Sequence, residues 1–151
     1  LIVLVFYSHH LDMNDGRIGL SVLNTAAGKI RPDALTLFVK GILCNVLVCA
    51  AVWLAYAGRS VTDKLLAVIL PVSAFIAAGF EHCVANMYFL PLAWLLVQTG
   101  HAPTNFDASL ITMSGIFHNL VPVTLGNIVG GAGFVGAVYW AIYRATFGET
   151  R

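Results

Sequence analysis

From Leu65 to Thr99 the chain reads LLAVILPVSAFIAAGFEHCVANMYFLPLAWLLVQT, an apolar run of 35 residues interrupted by an adjacent Glu and His. As one helix this run would rise about 52 Å, against a hydrocarbon core of roughly 30 Å. Gly79 stands just before Glu81-His82, so the spacing predicts two half-helices meeting at a break around Gly79–His82. A charge at the centre of a membrane helix costs at least about 2.5–3.5 kcal/mol, and such groups usually line a cavity or pathway. The pair therefore marks the first candidate site.

Composition points to lipid as the solvent. The chain is 59% hydrophobic and 10% charged, where a soluble domain carries about 25% charge; its mean hydropathy is +0.85. A net charge of +1 provides no polyanion surface and argues against nucleic acid as a partner. Cys44, Cys49 and Cys83 all lie in apolar segments without CxxC or clustered His spacing. They read as small reduced side chains rather than disulfide or metal ligands, and no cofactor is expected.

One membrane domain is expected over 1–151, with spans at about 1–7 (partial), 34–57, 65–99 (broken) and 117–143. The opening run LIVLVFY is too short to cross a bilayer and lacks the marks of a signal peptide; it reads as the tail of a truncated helix. Residues 8–33 read as a polar loop, with Asn14-Asp15-Gly16 as a turn and His9 and His10 as solvated residues. Pro32-Asp33 precedes the first complete span, Ala34 to Ala57. Within it, Lys40 either snorkels to the headgroups or supplies a cation to a water-filled vestibule. A loop at Gly100–Asp107 holds His101, an exposed loop residue on this reading. Then come a short interfacial helix over about Ala108–Phe117 and a span starting near His118-Asn119. That span carries Gly126, Gly130, Gly131, Gly133 and Gly136, a density that lets helix backbones approach closely in lipid. Asn127 needs a partner, which the break can supply. Tyr139, Trp140 and Tyr143 form an aromatic end before Arg144.

Loop charges orient the chain weakly. Arg17, Lys29 and Arg31 lie on one side; Arg59, Lys64, Arg144 and Arg151 lie on the other, closer to helix ends. The second side, with the C-terminus, is assigned to the cytoplasm, and the chain to a plasma or inner membrane as a multi-pass protein.

A break in a buried helix leaves orphan N–H groups and a half-dipole at the start of the second half, an anion site. An imidazole there can hydrogen-bond a small anion and exchange a proton with it. Moving a bare carboxylate into low dielectric costs of order 20 kcal/mol in the Born limit, and one proton removes most of that. A small weak-acid anion thus fits better than chloride. Two other readings stand beside this one: Glu81 paired structurally with Lys40, and a membrane metalloenzyme using Glu81, His82 and His118. The second lacks HExxH or any other ligand spacing, and there is no GxSxG.

The segments KGILCNVLVCAAVW (Lys40 to Trp53), AAGFEHCVANMYFLP (Ala77 to Pro91), NLVPVTLGNIVGG (Asn119 to Gly131) and GAVYWAIY (Gly136 to Tyr143) closely resemble the formate/nitrite transporter family. The resemblance covers nearly all of Asp33 to Arg144. It implies an all-α, polytopic membrane fold of the aquaporin-like kind, in which this chain makes up about one of two inverted three-helix repeats of a six-helix protomer. It also implies a homopentamer with a pore in each protomer, conducting formate, nitrite, hydrosulfide or lactate with protons, and no enzymatic activity. By the resemblance, His82 is the central pore histidine and Phe75 the cytoplasmic constriction. Lys40, Glu81 and Asn86 form a polar cluster that positions the break and draws in anions. The motifs lean to the formate branch. A non-conducting assembly subunit is the alternative of a different class.

Overall fold

The computed structural model describes residues 1–104 and 106–147; Arg151, counted above for orientation, lies outside them. Among the described residues the chain is helical, with no strand. In chain order the helices are α1 (Ile2–Tyr7), α2 (Arg17–Ile30), α3 (Ala34–Ala57), α4 (Val61–Ala77), α5 (Cys83–Gln98) and α6 (Met113–Ile128). A π-helix over Val129–Ala137 follows, and α7 (Val138–Phe147) continues from it. Two helical stretches, Ala34–Ala57 and Met113–Ala145, are long and apolar enough to cross a bilayer. The chain divides into two compact units, 1–34 with 83–121 and 35–82 with 122–151.

In the first unit, α2 is a correction to the expected loop. Its buried residues are Gly19, Val22, Leu23, Ala26, Ala27 and Ile30, a spacing of three and four that puts them on one face. That face joins Leu90, Leu92, Ala93 and Leu96 of α5 in one core, closed by Leu11, Ile111 and Ile116. Gly16 begins α2 at φ 75°, and Asn14 and Asp15 also have positive φ, so the turn signal was real. His9 and His10 are exposed, and His9 Nδ1 lies 3.0 Å from Asp12 Oδ2. His101 is likewise exposed.

α6 also departs from expectation. It starts at Met113 and runs unbroken through Phe117 and His118, so there is no separate interfacial helix over 108–117. Thr112 caps it, its hydroxyl accepting the Gly115 N–H at 3.0 Å. His118 Nε2 lies 2.9 Å from the Pro32 carbonyl oxygen, so the polar side chain that looked like a boundary serves as a tie to the α2–α3 link.

In the second unit, α3 meets α6 and the π-helix through backbone rather than bulk. A Cβ on Gly41 would sit 2.8 Å from the Val123 carbonyl oxygen; one on Gly130 would sit 3.0 Å from the Ile42 Cα and carbonyl carbon. Such distances leave no room for any side chain, as expected of helices packed on small residues. α4 begins with a capping box: Asp63 N–H donates to Ser60 Oγ (3.1 Å), and Ser60 N–H donates to Asp63 Oδ2 (3.0 Å).

Candidate functional site

The break follows from the way α4 ends. Gly79 takes φ +64°, a left-handed conformation that side chains resist. Its N–H donates to the Ile76 carbonyl and the Phe80 N–H donates to the Phe75 carbonyl, both at 3.0 Å. These are the two bonds of a Schellman motif, which satisfies the last carbonyls of α4 and stops the helix. No atom lies within 4 Å of a Cβ built on Gly79, so backbone conformation rather than space demands the glycine. Phe80, Glu81 and His82 then carry the chain outside helical structure until α5 starts at Cys83.

The backbone of the break is held from two sides. Glu81 is buried, at 5% exposure. Its N–H donates to the Lys40 carbonyl at 3.4 Å. Its carbonyl accepts from Asn127 Nδ2 at 3.0 Å, while the same amide donates to the Gly41 carbonyl at 2.9 Å. Asn45 Nδ2 in turn donates to the Asn127 carbonyl at 2.6 Å. The partner expected for Asn127 at the break is thus Glu81, through the main chain. Asn127 and Asn45 are the side chains that fasten α6, α3 and the break. The signal available was Asn127 itself, an amide in an apolar helix that needed hydrogen bonds.

Two expected site residues meet directly. The Phe75 and His82 rings are 6.0 Å apart between centroids and inclined by 27°, an offset stack. Both are half-buried. Lys40 is half-buried too, and its carbonyl accepts the Glu81 N–H.

Asn86 is fully buried in the other unit, and its amide belongs to a different chain of bonds. Asn86 Nδ2 donates to Asn119 Oδ1 at 2.7 Å, and Asn119 Nδ2 donates to the Lys29 carbonyl at 2.6 Å. That carbonyl lies in the last turn of α2, where helical partners run out. The lysine whose backbone joins Asn86's network is therefore Lys29. No three His, Cys, Asp or Glu side chains converge on a metal-sized site among the described residues.

Chemically, this arrangement offers an imidazole stacked on an aromatic ring in the non-helical stretch that follows α4. Comparison with known proteins adds to it. The sequence model of the family described as formate/nitrite transporter matches residues 1–141. The formate channel FocA of Escherichia coli (strain K12) is 41% identical over 151 aligned residues, 94% of this chain and 53% of FocA. The nitrite transporter NirC of Salmonella typhimurium is 44% identical over 119 residues, 79% of this chain and 40% of NirC. A solved pentameric formate channel with formate bound superposes with a TM-score of 0.84 at 38% identity, covering 95% of this chain and 59% of that one. An FNT family ion channel superposes at 0.76, also at 38% identity, over 93% and 52%. The chain spans about half the length of the relatives it matches.

Proposed function

The chain belongs to the formate/nitrite transporter family, and from that premise we propose that it forms part of a pathway for small monovalent anions across a plasma or inner membrane, with formate the leading substrate. The observation that carries this is the break after α4, which sets the His82 ring against Phe75 at 6.0 Å. His82 is the group that exchanges a proton with the passing anion, removing most of the cost of carrying a carboxylate through low dielectric. Phe75 narrows the route beside it, and the α5 N-terminus contributes its half-dipole. Lys40 attracts anions toward the break, Glu81 braces it, and Asn86 ties α5 to Asn119. Identity to FocA exceeds one third, and the solved relative is a pentamer with formate bound; both favour formate and a homopentamer, while the lysines and arginines near the helix ends favour a multi-pass protein with a cytoplasmic C-terminus.

The test is His82→Phe in the native protein reconstituted in proteoliposomes. Formate uptake driven by a pH gradient should fall to the level of empty vesicles, while the oligomer elutes unchanged. Wild-type uptake in the variant would remove His82 from the pathway.

A further inference from the structure

We propose that the π-helix Val129–Ala137 is a register device, which lets one continuous helical rod hold the α4–α5 break at one end and dock on α3 through its aromatic residues at the other. Upstream of it, Asn127 faces α3 and the break, its Nδ2 bonded to the Gly41 and Glu81 carbonyls. Downstream, Tyr139 stacks on Trp53 of α3 at 4.2 Å and 15°, and Tyr143 lies 6.2 Å from the same ring at 17°. Both tasks therefore face α3.

A regular α-helix cannot do this with the present sequence. At about 100° per residue, Tyr139 would stand roughly 120° and Tyr143 roughly 160° around the axis from Asn127. Both would point away from Trp53. Turns closed by i→i+5 bonds hold between four and five residues, about 80° each. Across the nine residues of the π-helix, the accumulated lag is about 180°. That brings Tyr139 and Tyr143 back to within roughly 60° of Asn127, where the stacks are found. The glycines explain why this segment can widen. Gly130 and Gly131 sit against Ile42 and Asn45, while a Cβ on Gly133 would meet little beyond Val129 of its own helix. The π segment thus touches α3 on one side and is open on the other.

Half a turn equals nearly two residues of α-helix, so the device predicts its own removal. Deleting Ala132 and Gly133 together should let the segment close as an ordinary α-helix with both ends in place. The readout is the part of the near-ultraviolet circular dichroism that Trp53→Leu abolishes, measured on the native oligomer beside its elution volume and far-ultraviolet helicity. The double deletion should keep that band, and inserting two alanines after Gly133 should abolish it while helicity persists. Loss of the band or of the fold in the double deletion, or an intact band in the insertion, overturns the assignment.

Discussion

The two units solve the same problem, holding helices together, by opposite means. Around α2 and α5 the core is made of large aliphatic side chains, with Leu23, Leu90 and Leu92 at 0% exposure. Around α3 and α6 the contact is made by what is missing: Gly41, Gly126 and Gly130 bring backbones together. The first kind of contact tolerates small adjustments, because side chains rotate to refill space. The second does not, because backbone atoms cannot move aside singly. The break is hung from this second, stiffer contact through the Asn127 amide. A rigid anchor suits a site whose chemistry depends on where one imidazole points.

The largest expected effect tests the first unit. Leu23→Ala removes a fully buried side chain from the α2–α5 core and should cost about 3 kcal/mol, within the range for buried Leu truncations. Thermal unfolding in detergent measures it. A loss under about 1 kcal/mol would mean that α2 is an ornament on the surface rather than half of a core.

Gly130→Ala tests the second. The added methyl would run into the Ile42 carbonyl oxygen, with the Ile42 Cα and carbonyl carbon at 3.0 Å, and overpacking of this kind costs about 1–3 kcal/mol. The contrast to look for is the effect of one added carbon, measured by the same unfolding experiment. At Gly28 of α2, where a Cβ meets nothing within 4 Å, the same change should be neutral or stabilise by up to about 1 kcal/mol. Equal effects at Gly28 and Gly130 would erase the distinction between the units.

Gly79→Ala should be milder and more local. Forcing a side chain to φ +64° costs roughly 1–2 kcal/mol, and nothing crowds the methyl. Hydrogen exchange of the Phe80 and Glu81 amides should quicken while the Leu23 core keeps its protection. Faster exchange in both regions would show that the break and the first unit unfold together.

These contrasts also explain which parts could be read from sequence. The break was legible because 35 apolar residues exceed a bilayer and a glycine precedes the charged pair. The helix over Ala34–Ala57 was legible for the same reason of length. α2 was not, since its buried face is built partly of Gly19, Ala26 and Ala27, small residues that scarcely register as apolar among the charges of Arg17 and Lys29. At Met113 the helix start was hidden by His118, whose polarity suggested a boundary although its ring bonds the Pro32 carbonyl. The π-helix leaves no mark beyond glycine density, because its widening answers to contacts at both of its ends. Within the candidate site, motif position named Phe75 and His82 one by one, and only the fold shows that their rings stack. That Asn127 needs a partner at the break was legible; which carbonyls its amide and that of Asn45 reach was not, since only the fold brings them together.

The smallest effect separates the two units by pH. In the second unit, the Ser60 backbone N–H leads the hydrogen bonds that hold the Asp63 carboxyl below its ordinary value of 3.8, with the Ser60 hydroxyl and the Arg59 N–H adding to it. In the first unit, Asp107 is lowered in the same direction, chiefly by the Ser109 N–H. A carboxyl depressed on folding adds stability that is fully present above its unfolded value and is lost as pH falls through the folded one. The window therefore lies below about pH 4. Asp63→Asn keeps an acceptor for the cap but removes the titration. The difference in thermal midpoint between wild type and Asp63→Asn should be constant from pH 7 to pH 5 and shrink below about pH 4. Asp107→Asn should do the same through the other unit, and the two changes should add because the caps share no partner. A midpoint difference for Asp63→Asn that stays flat down to pH 3 would mean that the start of α4 frays before the cap can contribute.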